Sequence, residues 1–203
     1  MDLEFAGKVI AVTGASRGPG FLVAERLAAE GAAVAIVARS ASELANAHMA
    51  IEGHGGRCLA YACDLAVPGE AAAFVTSIME IFGRLDGLVC NGGLTLKAGA
   101  GRQAWQVDLA LNVGHAMEAL EAAAPVMSTP GSIVFLSSGR EESWLQAAAK
   151  GALGEAARRL ATDLAPRNIR INLLVPTGQD FADSAAFLLS PRSQGISGLT
   201  IKA

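Results

Sequence analysis

Charge is scarce in this chain, and so is any imbalance of it. Acidic and basic residues fill only 17% of its 203 positions and leave a net charge of −3, so there is no basic footprint for nucleic acid. Cysteine is nearly absent. Cys58, Cys63 and Cys90 are an odd number without paired spacing, which argues against a disulfide framework and a zinc site. They read as small buried hydrophobes in a reducing compartment. The three histidines, His48, His54 and His115, share no ligand spacing; they are expected on the surface or in loops, and no metal is expected. No uninterrupted apolar run approaches membrane-spanning length. Asp2 and Glu4 stand ahead of the first apolar run, so the segment Met1 to Gly7 does not read as a secretory signal. Together these absences point to a soluble, cytoplasmic protein.

What is present is apolar. Hydrophobic residues make up 52% of the chain, enough for one well-buried core, and the length favours a single domain, 1–203. Short β-branched runs alternate with longer Ala/Leu-rich stretches, the pattern of consecutive βαβ units. Strands are expected at Lys8–Thr13, Ala33–Ala38, Arg57–Cys63, Leu85–Cys90, Ser132–Leu136, Ile169–Val175 and Leu199–Lys202. Several are apolar throughout, as strands covered on both faces should be. The clearest helical stretches are Gly20–Glu30, Pro68–Phe82, Arg102–Met127 and Trp144–Leu164. Gly31 and Gly83 fall where helices should stop. The expected fold is α/β: one open, doubly wound, mostly parallel sheet of about seven strands, binding its ligand at the C-terminal strand ends.

The first strand runs into Thr13-Gly14-Ala15-Ser16-Arg17-Gly18-Pro19-Gly20 and then a helix. Glycines there permit a sharp turn and a close approach of backbone to a pyrophosphate, while the helix N-terminus supplies N–H groups and positive dipole. The spacing Gly-x-x-x-Gly-x-Gly resembles the turn of the short-chain dehydrogenase/reductase family. The resemblance extends along nearly the whole chain. Asp64-Leu65 resembles the family's adenine-contacting pair, and Asn91-Gly92-Gly93 stands where the family carries Asn-Ala-Gly. Trp105 and Asn112 match its central helix, Ser137-Ser138 closes the fifth strand, and Lys150 lies in the next helix. Phe187-Leu188-Leu189-Ser190 and Ile196-Ser197-Gly198 are similar to its final helix and last strand.

The resemblance implies a Rossmann-type fold and a nicotinamide dinucleotide held by Gly14, Ser16, Arg17, Gly18, Gly20, Arg39, Asp64, Leu65, Asn91, Gly92 and Lys150. An acidic residue at the end of the second strand would bind the ribose diol of NAD and repel a 2′-phosphate. Ala38 stands there, with Arg39 beside it and Arg17 in the glycine turn. Two guanidinium groups can grip a 2′-phosphate, so NADP(H) is expected over NAD(H). Pro19 opposes tight binding, because it lacks the N–H that the family's turn offers. One hydrogen bond to a charged group is worth about 1.5–3 kcal/mol.

In the family a Tyr-x-x-x-Lys pair, a serine and an asparagine surround the reacting oxygen. Carried across, Lys150 matches the lysine, Ser138 the serine and Asn112 the asparagine, but Gln146 stands where the tyrosine belongs. The only tyrosine is Tyr61, on the third strand. A glutamine amide donates a hydrogen bond but has no proton to surrender near neutral pH. Seven residues separate Ser138 from Gln146, and Pro176-Thr177-Gly178-Gln179-Asp180 leads almost directly into the final helix. The family's pocket loop is thus shortened and its lid missing, and with them the walls that exclude water. Three functions remain open: a degenerate reductase acting as sensor or scaffold, an active oxidoreductase with a modified site, or a structural subunit. The resemblance also implies a homo-oligomer through the long helices beginning near Arg102 and Trp144, or pairing with a complete family member.

Overall fold

The computed structural model describes residues 2–91, 105–107, 109–137 and 144–203. Its strands are β1 (Val9–Thr13), β2 (Ala33–Ala38), β3 (Cys58–Ala62), β4 (Gly87–Asn91), β5 (Gly131–Leu136), β6 (Ile169–Val175) and β7 (Thr200–Lys202). Between them run α1 (Gly18–Ala29), α2 (Ala41–Glu52), α3 (Glu70–Phe82), α4 (His115–Ala123), α5 (Trp144–Leu164) and α6 (Phe181–Leu189). The strands form one sheet in the order β3-β2-β1-β4-β5-β6-β7, and every pairing is parallel. The expected sheet is therefore present and wholly parallel.

Side-chain alternation along the strands feeds two cores, one on each face. Ile10, Val34, Ile36 and Leu174 pack with Val23 and Leu27 of α1, Leu44 and Ile51 of α2 and Leu188 of α6. On the other face Ala11, Val37, Leu88 and Phe135 pack with Phe74 and Ile78 of α3, Ala119 of α4 and Leu153 of α5. Both faces being covered explains why these strands read as unbroken apolar runs.

At the N-terminal edge of the central strands lies an ion cluster built on one buried carboxylate. The Asp86 carboxylate accepts the Val9 N–H at 3.0 Å and pairs with Arg84 at 2.6 Å and Lys8 at 3.3 Å. Burial alone would raise its pKa, but the Arg84 hydrogen bond, the Val9 N–H and the Lys8 charge outweigh it and hold the carboxyl below the ordinary range. This cluster is far from the C-terminal strand ends and fixes β1 to β4.

Several expectations need correction. Helix α1 starts at Gly18, two residues early, because proline suits a first helical turn. The fourth strand runs Gly87–Asn91 and not Leu85–Cys90, since Asp86 turns into the ion cluster. The stretch expected over 102–127 is helical at every described residue from 105 to 126, but not as a uniform α-helix. A π-turn at Ala110–Gly114 precedes α4, and a 3₁₀ turn at Ala124–Val126, holding Pro125, follows it. Cys90 is buried as expected, but Cys58 and Cys63 are only half-buried, on the edge strand β3 and just beyond it. Burial pushes both of these thiols up to about 12, so neither ionises near neutral pH.

His115 contradicts the surface reading most plainly. It is 5% exposed at the start of α4, on the stripe of Ala119 and Ala123 that faces the core. Neither ring nitrogen finds a well-formed hydrogen-bond partner. Burial pushes its pKa down to about 4, against a slight opposing pull from the Leu111 carbonyl one turn earlier. His48 and His54 are half-buried and exposed, on α2 and in the turn after it, beside Glu52 and Glu25 respectively.

Candidate functional site

The winding of the chain reverses between β1 and β4, and their C-terminal ends open a crevice there. In open α/β sheets that reversal is where ligands bind. The two strand ends are stitched together. Thr13 Oγ1 donates to the Asn91 carbonyl at 3.1 Å and accepts the Asn91 N–H at 2.9 Å. The Asn91 amide reaches on into the glycine turn, donating to the Gly14 carbonyl at 2.9 Å and the Thr13 carbonyl at 3.2 Å.

That clasp dictates two of the three glycines. Gly14 has φ +60°, and a Cβ on it would strike the Asn91 backbone. A Cβ on Gly20 would lie 2.7 Å from the Gly14 carbonyl oxygen and closer still to the Asn91 amide. Gly18 differs: its φ is +62°, but a Cβ would meet nothing within 4 Å. The turn is thus packed on its inner side and open above Gly18, where α1 begins. Arg17, the N-cap of α1, makes no side-chain capping bond, so backbone donors at this helix end face the open side. The arrangement fits an anionic pyrophosphate. Pro19 contributes no donor to it.

Beyond the end of β2, Arg39 is exposed and makes no ion pair among the described residues. Arg17 is engaged: its guanidinium pairs with Glu43 at 3.1 Å. Ser16 Oγ donates to the other Glu43 oxygen at 3.2 Å. Glu43 lies in the first turn of α2, and its N–H is capped by Ser40 Oγ at 3.3 Å. Sequence reasoning missed Glu43, although Ser40-Ala41-Ser42-Glu43 has the Ser-x-x-Glu spacing of a capping box. Asp64 lies past the end of β3, where its carboxylate accepts the Ala66 N–H at 3.0 Å and shapes a turn. Leu65 is half-buried against the α3 side of the core.

Asn112 lies within the π-turn, which packs against α5. Such turns interrupt α-helices frequently at functional sites. Gln146 and Lys150 are both half-buried on α5, four residues apart and therefore on one face. The fold thus brings the Asn112 segment against the helix of Gln146 and Lys150. Tyr61 is elsewhere, on the outermost strand and packed on Phe74. Four strand spacings separate β3 from β5, about 19 Å at the usual interstrand distance. Ser138 and Gly92 lie outside the described residues. Five residues, 176–180, join β6 to α6; Thr177 to Asp180 are exposed. The Thr177 and Gly178 N–H groups donate to the Ala203 carbonyl.

Among the described residues no group of three histidine, cysteine or acidic side chains is placed to hold a metal. No described helix is long and apolar enough to cross a membrane.

Comparison with known proteins agrees with this geometry. The family model for short chain dehydrogenases matches residues 8–188. The short-chain reductase protein NovJ of Streptomyces niveus is 37% identical over 177 residues, spanning 83% of this chain and 68% of that protein. A dehydrogenase/reductase from Sinorhizobium meliloti has a crystal structure that superposes with a TM-score of 0.91 at 28% identity, covering 99% of this chain and 95% of that one. L-Sorbose reductase from Gluconobacter frateurii, solved with NADPH and L-sorbose, superposes with a TM-score of 0.89 at 27% identity, covering 100% and 97%.

Proposed function

Since the chain belongs to the short-chain dehydrogenase/reductase family, we propose that it is an NADP(H)-binding member that is nearly inert as a carbonyl reductase. The observation that carries this reading is Gln146, four residues before Lys150 on the same face of α5. When bound, the nicotinamide supplies or accepts a hydride. The chain's own task is then to move a proton at the substrate oxygen, and Gln146 has none to give. General acid–base catalysis is typically worth ~10²–10⁴-fold. Lys150, Asn112 and Ser138 would still orient cofactor and substrate, which is positioning without proton transfer. Tyr61, on a strand about 19 Å across the sheet from β5, is too distant to substitute.

Binding is the surviving function. The open face above Gly18 and the uncapped start of α1 suit the pyrophosphate. Ala38 and Arg39, which makes no ion pair among the described residues, favour a 2′-phosphate over a bare ribose diol. The bound protein would serve as a sensor or partner subunit, and small alanines on α4 and α5 suit close packing between copies. The decisive assay follows NADPH oxidation by the purified protein across aldehydes and ketones, with calorimetry for cofactor binding. Binding without turnover is the expected result. Robust turnover, abolished by Ser138→Ala or Lys150→Ala, overturns inertness in favour of a working site with a replaced acid.

A further inference from the structure

Glu43 makes contacts that neither the helix start nor the core requires. A glutamate in this place in a capping box normally turns back to the N–H of the capping residue. Here its carboxylate turns away from Ser40, toward the glycine turn, and takes Ser16 on one oxygen and Arg17 on the other. Those two residues of the glycine turn, with Arg39 and Ser40 just after β2, are side chains able to donate to an added phosphate. Ser16 and Arg17 are therefore already engaged by a built-in anion, whereas Arg39 makes no ion pair among the described residues.

We propose that Glu43 is the specificity-determining residue of this cofactor site, acting as an internal competitor of the 2′-phosphate. The inference rests on the reading that the turn after β1 holds a nicotinamide dinucleotide. A 2′-phosphate carries roughly −1.5 to −2 charges at neutral pH. To engage Arg17 and Ser16 it must displace Glu43 and then sit beside its carboxylate. A dinucleotide with a free 2′-hydroxyl meets neither obstacle. Glu43 thus lowers NADPH affinity selectively and narrows the gap to NADH.

Glu43→Gln tests this without disturbing α2, because the capping bond from Ser40 is made to the Glu43 backbone N–H. Binding of NADPH, NADH, 2′,5′-ADP and 5′-AMP is measured by calorimetry on native and variant protein at fixed salt. The expected result is about tenfold tighter NADPH and 2′,5′-ADP, with NADH and 5′-AMP changed less than about twofold. In an Arg17→Ala background the same substitution should change NADPH affinity by less than about threefold. Equal changes for all four ligands, or no change, overturn the role of Glu43 while leaving the cofactor site intact. A native protein without NADPH preference that acquires it on Glu43→Gln supports the role and refutes only the native preference. Failure of every ligand to bind either protein overturns both readings together.

Discussion

Acidification should destabilise this protein through His115. His115 is buried with its pKa pushed down to about 4, whereas in the unfolded chain it titrates near 6.5. Between those values the unfolded state holds a proton that the folded state refuses. The stabilising contribution is therefore complete above pH 6.5 and is lost progressively as pH falls toward 4. One pKa unit is worth about 1.36 kcal/mol, so the loss is about 2 kcal/mol at pH 5 and about 3 kcal/mol at pH 4. Against a typical stability of about 5–15 kcal/mol that is a large fraction. His115→Leu removes the titration and also two buried nitrogens without proper partners, whose desolvation costs about 1–3 kcal/mol. Urea unfolding followed by circular dichroism at pH 7, 6, 5 and 4 makes the comparison. The variant should match or exceed the native protein at pH 7 and pull ahead by about 2–3 kcal/mol more at pH 4. His48, His54 and the carboxylates are common to both proteins and cancel. Parallel curves, or a His115 ring resonance titrating near 6.5, would show that this ring is hydrated and the reasoning wrong.

Other outcomes follow from the same geometry. Pro19→Ile restores a donor over the open face of the turn and should tighten NADPH binding about 10- to 100-fold by calorimetry; Arg39→Ala should reduce the preference over NADH. Gln146→Tyr should return at most about a tenfold gain in NADPH oxidation with generic carbonyls, because positioning by the short loops after β5 and β6 is not rebuilt. Asp86→Ala should cost about 1–3 kcal/mol in chemical denaturation, since it strands the buried Val9 N–H while the two cations turn to solvent. Light scattering at high micromolar concentration should give a dimer or larger; a monomeric mass would remove the oligomer from the proposal.

Much of the fold was legible because strands covered on both faces leave an unmistakable trace. Val34–Val37 and Ile133–Leu136 are buried at every position, and no amphipathic alternative competes with such runs. The glycine turn was legible for a similar reason, its spacing being dictated by backbone contact. The π-turn was not: Ala110-Leu111-Asn112-Val113-Gly114 has nothing in its composition to separate five-residue from four-residue hydrogen bonding. His115 was misjudged because it was considered as a possible ligand and not as a member of a stripe. Its spacing to Ala119 and Ala123 carried the signal. Glu43 was passed over because its partners, Ser16 and Arg17, lie 27 and 26 residues away, across a contact that only the folded sheet creates.

The Asn91 clasp has a bearing on how such a chain changes over generations. Gly14 and Gly20 answer to Asn91, a neighbour within the protein, so a side chain at either is rejected by folding whether or not any cofactor is present. Gly18 answers to its own backbone, whose φ of +62° strains any side chain whatever the space, and Pro19 answers to the open side, where only a ligand would object. Purifying selection for a stable sheet therefore preserves half of the binding fingerprint as a by-product. A lineage released from dinucleotide binding would drift first at positions 19, 17 and 39, with Gly14, Gly20 and Asn91 the last to go. Pro19 is a substitution on the permissive half.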